Sequence, residues 1–193
     1  AAEGSVCKGD RTRAAIVDAA VCMASRVGLN GLSIGNLAKK LDISKSGLFA
    51  HFRSKEKLQT EVLVAAASRF SDGVVRPALE QPRGEPRVRR LVEGWLAWVD
   101  TSCSGGCLFV QAAVELDDRP GPLRNTLVEL QGRWLSTISQ MADGAVQEGH
   151  FHADLDPQQF AFELQALMLG YHHSRRLMRD PLAGQRVHDA AER

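Results

Sequence analysis

Residues 32–58 read LSIGNLAKKLDISKSGLFAHFRSKEKL, and this stretch decides the fold. It holds two short segments with apolar residues at helical spacing, and a serine precedes each of them. The hydroxyls of Ser33 and Ser44 can accept hydrogen bonds from the free N–H groups of a first helical turn. Between the segments lies Asp42, a residue that tolerates left-handed turn geometry better than most, though less well than glycine. The stretch therefore predicts two short helices joined by a tight turn.

The two predicted helices have distinct inward and outward sides. The first covers residues 33–41 and the second covers residues 44–51. Their inward positions carry Leu37, Ala38, Leu41, Leu48 and Phe52. In a pair of helices joined in this way, the N-terminal end of the second helix enters the major groove of DNA. Lys45, Ser46 and Gly47 are therefore predicted to meet base edges, and the two small residues let the backbone approach closely.

A third helical start follows at Ser54. This serine is a further N-cap, and the exposed N–H groups behind it form, together with Lys55, a site suited to a DNA phosphate. An earlier helix is predicted to begin near Asp10 and to end at Gly28. These helices together predict a DNA-binding domain over residues 1–57. A compact helical hairpin without a role in DNA binding is the alternative.

The segment Leu32–Leu58 resembles the TetR family of bacterial transcriptional regulators, and the resemblance covers about residues 10–60. It is specific because its tail, Leu48-Phe-x-His-Phe-x-Ser-Lys-Glu-x-Leu58, combines core, capping and phosphate-contact positions at fixed spacing. The resemblance implies that a three-helix DNA-binding domain leads through a fourth helix into a helical ligand-binding and dimerisation domain. It further implies a homodimeric repressor of transcription that binds double-stranded operator DNA.

The resemblance also implies roles for individual residues. Positions that usually touch DNA phosphates are matched by Ser33, Ser44, His51 and Lys55. The base-reading end is matched by Lys45, Ser46 and Gly47. Phe49 stands at a phosphate-contact position where the family usually has tyrosine, so it keeps the ring and lacks the hydroxyl. Asp42 stands where the family usually has glycine, which costs a little stability without changing the geometry.

Charge is divided unevenly along the chain. The 193 residues carry a net charge of +1, but residues 1–57 carry +5 and the remaining 136 residues carry −4. A basic end on a mildly acidic chain is expected where only that end meets a polyanion. A solvated basic face without a partner would have the same composition. Lys39 and Lys40 in particular are either merely solvated or add diffuse attraction to DNA.

The rest of the chain, residues 58–193, is predicted to form a helical ligand-binding and dimerisation domain. Apolar residues recur every three or four positions without an alternating strand pattern, so the predicted fold class is all-α, with eight or nine helices. The Pro- and Arg-rich stretch 76–87 is either a linker or a loop between packed helices. Residues 123–146 predict one long helix with a single apolar stripe. Residues 157–178 predict a helix that is apolar on more than one side, which indicates either a subunit interface or a helix central in its own domain.

The C-terminal part is rich in large apolar side chains that can line a pocket for a small apolar or amphipathic molecule. Each of them is also typical of ordinary core packing. The candidates are Trp95, Trp98, Phe109, Trp134, Met141, Phe160, Met168 and Tyr171. Residues 105–124 resemble the middle of the ligand-binding domain in one TetR subgroup, which supports a regulator without indicating its effector.

The four cysteines are too few and too unevenly spaced for a secreted disulfide framework, so reduced thiols are predicted. Cys103 and Cys107 lie four residues apart, which allows a redox switch or a metal site. The Gly105-Gly106 pair between them breaks a helix, however, and no nearby residues complete a zinc set. The histidines of this part are typical of solvated or capping positions: His150, His152, His172 and His173. No metal or cofactor is predicted.

The motifs of catalysis, including a nucleophile elbow and a phosphate loop, do not occur, so an enzyme is not predicted. No apolar run approaches the roughly 20 residues that cross a bilayer, and residues 1–10 lack the apolar core of a signal peptide, which predicts a cytoplasmic location.

The sequence favours a repressor that a small ligand releases from its operator. Two alternatives stay open. One is a thiol-redox-responsive regulator that uses Cys103 and Cys107, and the other is a helical ligand-binding module without a DNA role.

Overall fold

The computed structural model describes residues 8–101, 103 and 105–192, with side chains from residue 12 onward. Over these residues the chain is helical without a strand, which confirms the predicted fold class. The nine helices are α1 Lys8–Gly31, α2 Ile34–Lys40, α3 Lys45–Phe52, α4 Lys55–Phe70, α5 Glu85–Thr101, α6 Leu108–Leu116, α7 Pro122–Gln147, α8 Pro157–Arg176 and α9 Ala183–Ala191. Helix α4 continues through a π-helical turn, Ser71–Val75, and a short segment, Arg76–Leu79.

Helix α1 is kinked at Gly28, the residue that was predicted to end it. Gly28 has a φ of 75°, which lies outside the helical range, and one further helical turn follows it. The helix already runs at Lys8, two residues before the predicted start. The side chain of Asp10, near which the helix was predicted to begin with this residue as its N-cap, lies outside the described residues.

The helix-turn-helix has the local geometry that the sequence predicts. The Oγ atom of Ser33 accepts a hydrogen bond from the backbone N–H of Asn36 at 3.2 Å, and that of Ser44 accepts one from Gly47 at 3.0 Å. Asp42 adopts a φ of 52°, the left-handed turn conformation expected of it. Inward residues Leu37, Ala38, Leu48 and Phe52 are buried. The predicted turn and N-caps are confirmed. Together they set the angle between α2 and α3.

The Pro- and Arg-rich stretch 76–87 is not a linker. Helix extends through Leu79, a short turn follows, and α5 begins at Glu85. Pro77 is the second residue of the short segment after the π-helical turn, and the helix continues through it to Leu79. The alternative interpretation, a connection between packed helices, is therefore correct.

Two apolar cores hold the molecule together. The first joins α1, α2, α3 and α4 to α6 and the start of α7, with Leu108, Ala112 and Leu116 among its buried members. The second joins α5, α7, α8 and α9. The predicted domain boundary between residues 57 and 58 falls in the first turn of α4 and stays a prediction. Helices α1 and α4 pack directly on α6 and α7, and the helix-turn-helix packs on α1 and α4.

The two longest C-terminal helices differ in how much apolar surface they bury. Helix α7 buries most of the predicted stripe: Leu123, Leu127, Ile138, Met141 and Ala145. Helix α8 buries Leu164, Met168 and Tyr171 but leaves Phe162 67% and Leu169 42% exposed. The prediction that α8 is apolar on more than one side is confirmed. None of the helices in the described ranges is long and apolar enough to cross a membrane.

The cysteines are arranged differently from the prediction. Cys22 of α1 forms a disulfide with Cys103, 81 residues away, and Cys107 is a buried free thiol. The predicted set of reduced thiols is therefore wrong for Cys22 and Cys103. A Cys103–Cys107 pair is also excluded in this structure, because Cys103 is bonded elsewhere and Gly106, with a φ of 83°, separates it from α6. Sequence spacing suggested the wrong partner because the true partner lies on a distant helix.

Candidate nucleic-acid interface and adjoining cavity

The N-terminal end of α3 forms an exposed polar edge. Lys45 and Ser46 are exposed and Gly47 is half-buried. The Oγ atoms of Ser44 and Ser46 lie 3.1 Å apart, within hydrogen-bonding distance. A Cβ atom added at Gly47 would lie 3.1 Å from the Oγ atom of Ser44, so glycine keeps this turn narrow. The three residues predicted to read bases therefore lie together on one accessible helix end.

The residues predicted to contact phosphate border that edge. Ser33 and Ser44 use their oxygen atoms as N-caps, and Phe49 is 48% exposed. His51 is half-buried in the last turn of α3. The Nζ atom of Lys55 donates a hydrogen bond to the backbone carbonyl of Asn30 at 2.7 Å. An ammonium group has three N–H donors, so Lys55 keeps two for a phosphate at the start of α4.

Arg13 of α1 supports α3 from behind, a role that was not predicted from the sequence. Its guanidinium forms an ion pair with Glu61 of α4 and donates to the backbone carbonyl of His51 at 2.6 Å. It also lies 4.9 Å from the centre of the Phe52 ring. One side chain thus ties together α1, α3 and α4. No local pattern marks Arg13, because each of its partners is distant in the sequence.

A cavity of about 490 Å³ lies between α4, α5, α6, α7 and α8. Its wall is mainly aromatic and aliphatic, with Phe70 at the centre of a ring cluster. The Phe70 ring stands edge-on to Trp134 at 4.9 Å, to Trp98 at 5.4 Å and to Phe109 at 6.2 Å between ring centres. Aromatic rings hold such geometries firmly, which gives the cavity a defined shape.

The predicted pocket residues are distributed over several places. Trp95, Phe109 and Trp134 line the cavity. Phe160 lines a separate cavity of about 480 Å³ against α5 and α9, and Tyr171 lines a recess in which its hydroxyl donates to Asp100 at 3.3 Å. The side chains without a place in the wall of any of these cavities are Trp98, Met141 and Met168. Met141 and Met168 are buried in the second core, where their flexible chains fill space between helices.

Polar side chains, including the charged Asp72, Arg76 and Arg133, interrupt the apolar wall of the cavity. The indole N–H of Trp134 donates to the Gln165 side-chain carbonyl at 2.8 Å. Asp72 and Arg76 form an exposed ion pair at 2.6 Å beside the wall. Cys107 contributes its thiol, whose pKa is raised by burial although backbone N–H groups of α6 act against the rise. An apolar interior with a charged rim suits a molecule with one apolar and one polar end.

Helix α6 connects the cavity to α1. Near its start, Phe109 and Val110 line the cavity. Further along, the Gln111 amide donates to the backbone carbonyl of Ser25 at 2.8 Å. The carboxylate of Glu115 accepts from the backbone N–H of Asn30 at 2.9 Å.

Just beyond α6, the guanidinium of Arg119 donates to the side-chain oxygen of Asn30 at 2.9 Å. We call the contacts of Gln111, Glu115 and Arg119 with Ser25 and Asn30 the α1–α6 clamp. Asn30 also accepts the hydrogen bond from Lys55, so the clamp reaches the first residue of α4.

Solved structures of other proteins share this architecture. A TetR transcriptional regulator from Chloroflexus aurantiacus J-10-FL superposes with a TM-score of 0.83 at 22% identity, over 95% of this chain and 93% of that one. AibR, solved in complex with isovaleryl coenzyme A and operator DNA, superposes with a TM-score of 0.71 at 20% identity, over 91% and 95% of the two chains. At these identities the likeness shows the fold.

Sequence comparison identifies the family. The HTH-type transcriptional repressor DhaR of Mycobacterium sp. (strain GP1) is 26% identical over 136 residues, which span 69% of this chain and 67% of DhaR. Residues 16–62 match the family model of bacterial regulatory proteins, tetR family. Residues 84–191 match the model of the tetracyclin repressor-like C-terminal domain. Since the two matches together cover most of the chain, it belongs to the TetR family of DNA-binding transcriptional regulators.

Proposed function

We propose that the protein is a homodimeric repressor that a small amphipathic molecule releases from its operator. One observation carries the proposal: α6 lines the cavity near its start and holds α1 through the clamp, from Gln111 onward. A molecule that enters the cavity must contact the same helix that positions the DNA-binding helices. The name of the relative DhaR, a repressor, supports the direction of the response.

On the operator, Lys45, Ser46 and Gly47 would meet base edges in the major groove, while Ser33, Ser44, His51 and Lys55 anchor phosphates. Phe49 would contact the sugar-phosphate backbone through its ring alone. In a dimer, two copies of α3 would enter successive major grooves, roughly 34 to 36 Å apart on a near-palindromic site. The basic charge of residues 1–57 supports this placement.

The dimer interface is proposed on α7 and α8. Each of these helices exposes a pair of apolar residues seven positions apart, which places both members of a pair on one helix face. Val128 and Leu135 of α7 are 53% and 38% exposed, and Phe162 and Leu169 of α8 are 67% and 42% exposed. A second copy of the same surface would bury them in a helical interface with two-fold symmetry.

The effector is proposed to bind in the cavity between Phe70, Trp95, Phe109 and Trp134. The effector weakens operator binding only if it binds the operator-free arrangement of the helices more tightly than the operator-bound one. The free energy of such coupling is typically about 1–3 kcal/mol. The neighbour AibR, solved with both an acyl coenzyme A and operator DNA, supports a regulator with two such ligands.

The experiment begins with selection of an operator from a random duplex library by the purified protein. Compounds that raise its melting temperature are then added to the operator complex in a gel-shift assay. A stabilising compound is expected to release the operator. Ala67 is a small, half-buried residue on the cavity wall, and Ala67→Phe is expected to keep operator binding and to lose the response because its ring fills the cavity.

The matched control, Ala153→Phe, places the same ring at an exposed position of the loop between α7 and α8 and should respond like the wild type. Failure of the protein to enrich any duplex would refute the DNA-binding part of the proposal. A full response of Ala67→Phe would refute the assignment of the cavity.

A further inference from the structure

The Cys22–Cys103 disulfide joins the DNA-binding helices to the effector-binding helices. Cys22 lies on α1, and Cys103 lies in the segment that connects α5 to α6. Their Cα atoms are 5.4 Å apart, a separation at which two cysteines can be bonded without moving the backbone. Both residues are half-buried, so small reagents can reach the pair.

The bond lies beside the α1–α6 clamp. Ser25, one helical turn after Cys22, receives the amide of Gln111, and the same amide donates to the carbonyl of Gly105 at 3.0 Å. A Cβ atom added at Gly105 would lie 1.7 Å from the carbonyl oxygen of Ser25, so Gly105 is pressed against α1. The disulfide therefore adds a covalent link at the junction where hydrogen bonds already hold α1 to α6.

A disulfide at this place has a regulatory explanation. Transcriptional regulators work beside the chromosome, in a compartment where glutathione and thioredoxin keep thiols reduced, and disulfides that form there are usually transient and sense oxidants. We propose that Cys22 and Cys103 form a reversible disulfide switch that, when oxidised, holds the regulator in its DNA-binding conformation. The inference rests on the proposed function, in which the effector acts through the same junction.

The chemistry is a two-electron oxidation by a hydroperoxide. One thiolate attacks the O–O bond and becomes a sulfenic acid, with water or an alcohol as the leaving product. The second thiolate displaces hydroxide from that sulfur, and the S–S bond forms. Two thiols and one hydrogen peroxide thus give one disulfide and two molecules of water. A reducing dithiol reverses the step.

The direction of the effect follows from the clamp. We take the effector to act by displacing the start of α6 and loosening the hold of α6 on α1. A covalent bond across the same junction opposes that displacement and restricts the DNA-binding helices to the clamped arrangement. DNA-binding helices that the disulfide already holds in place lose less conformational freedom when they bind the operator. The oxidised form should therefore bind the operator more tightly.

The first test maps the bond. Wild-type protein is reduced with dithiothreitol, freed of it, and treated with one equivalent of hydrogen peroxide before intact-mass measurement and peptide mapping. The expected result is a loss of about 2 Da, from two thiol hydrogens, and a linked peptide that contains Cys22 and Cys103. Cys107→Ala should retain the bond, and Cys22→Ser should not form it. A bond between Cys103 and Cys107, or no intramolecular bond, would overturn the proposal.

The second test measures affinity for the operator selected with reduced protein. Oxidised wild-type protein should bind roughly fivefold or more tightly than reduced protein, at the lower end of ordinary allosteric coupling. Cys22→Ser and Cys103→Ser should bind equally in both conditions, whereas Cys107→Ala should behave like the wild type. Equal or weaker binding after oxidation would overturn the switch while leaving the regulator intact. Absence of operator binding in both forms would instead refute the proposed function.

Discussion

At the scale of single residues, the two lysines that flank the recognition helix are expected to act differently. Lys45 lies on the exposed end of α3, whereas Lys55 lies at the start of α4 with its ammonium 2.7 Å from the Asn30 carbonyl. Lys45→Ala should cost about 1–3 kcal/mol on the selected operator and relax the preference at one base pair. Lys55→Ala should weaken binding to all duplexes alike and lower the slope of log affinity against log salt by about one. Titrations on matched and mismatched duplexes at several salt concentrations distinguish the two, and interchanged patterns would contradict the assignment.

His172 is expected to make the stability of the fold depend on pH. Its pKa is lowered by burial, and by the nearby charges of Arg176 and His173. At His172 the unfolded chain binds a proton more readily than the folded one, so protonation favours unfolding. The fold therefore has its full stability above the ordinary histidine pKa of about 6.5 and loses stability as the pH falls below that value. The melting temperature should therefore drop between pH 7.5 and 5.5, and it should drop less in His172→Gln. An identical drop in the variant would show that other groups cause it.

At the scale of helices, the kink in α1 is expected to be a point of low tolerance. Gly28 has a φ of 75°, and an added Cβ atom would lie 1.6 Å from the carboxylate of Glu115 that bonds Asn30. Gly28→Ala should therefore destabilise the fold by about 1–3 kcal/mol. Gly184 in α9 has no atom within 4 Å of an added Cβ atom, so Gly184→Ala should stabilise by about 0.4–1 kcal/mol. Chemical unfolding of both variants measures the difference, and a tolerated Gly28→Ala would show that the clamp does not constrain the kink.

What the sequence could predict at this scale depended on the range of the interaction. The serine caps before α2, α3 and α4 were predictable because a cap involves residues three positions apart. The continuation of α4 through a π-helical turn was not predictable, since Pro77 ordinarily indicates a break and only packing shows otherwise. The Cys22–Cys103 pair was missed for a similar reason. Its 81-residue separation is bridged by the packing of α6 on α1, which no spacing rule contains.

The cavity shows the same limit for the predicted binding site. Large side chains were easy to find, and Trp95, Phe109 and Trp134 do line one cavity. Composition gave no means to separate them from Met141 and Met168, which fill the core. Phe70, at the centre of the ring cluster, lies on α4, close to the DNA-binding helices in sequence. The site could be recognised only after the fold had brought α4 and α7 together.

At the scale of the whole molecule, the exposed apolar residues of α7 and α8 are expected to determine assembly. Phe162 is 67% exposed on a helix whose opposite side is buried in the second core, so its substitution should leave the monomer folded. Phe162→Glu would place a charge from each copy in the apolar interface, and a charge buried without a partner costs more than the contact it replaces. Sedimentation equilibrium should show a dimer for the wild type and a monomer for the variant.

A monomer would also lose the gain from two linked half-sites, so operator affinity should fall by about a hundredfold or more. Val114→Glu on α6 is the matched control, because Val114 is 74% exposed but lies on a different helix, and it should remain a dimer with wild-type affinity. The two measurements together bear on the mechanism. If Phe162→Glu were a monomer with unchanged operator affinity, each copy would act alone and the near-palindromic operator would be wrong. If it stayed a dimer, the interface would lie elsewhere, and the exposed faces of α7 and α8 would need another explanation.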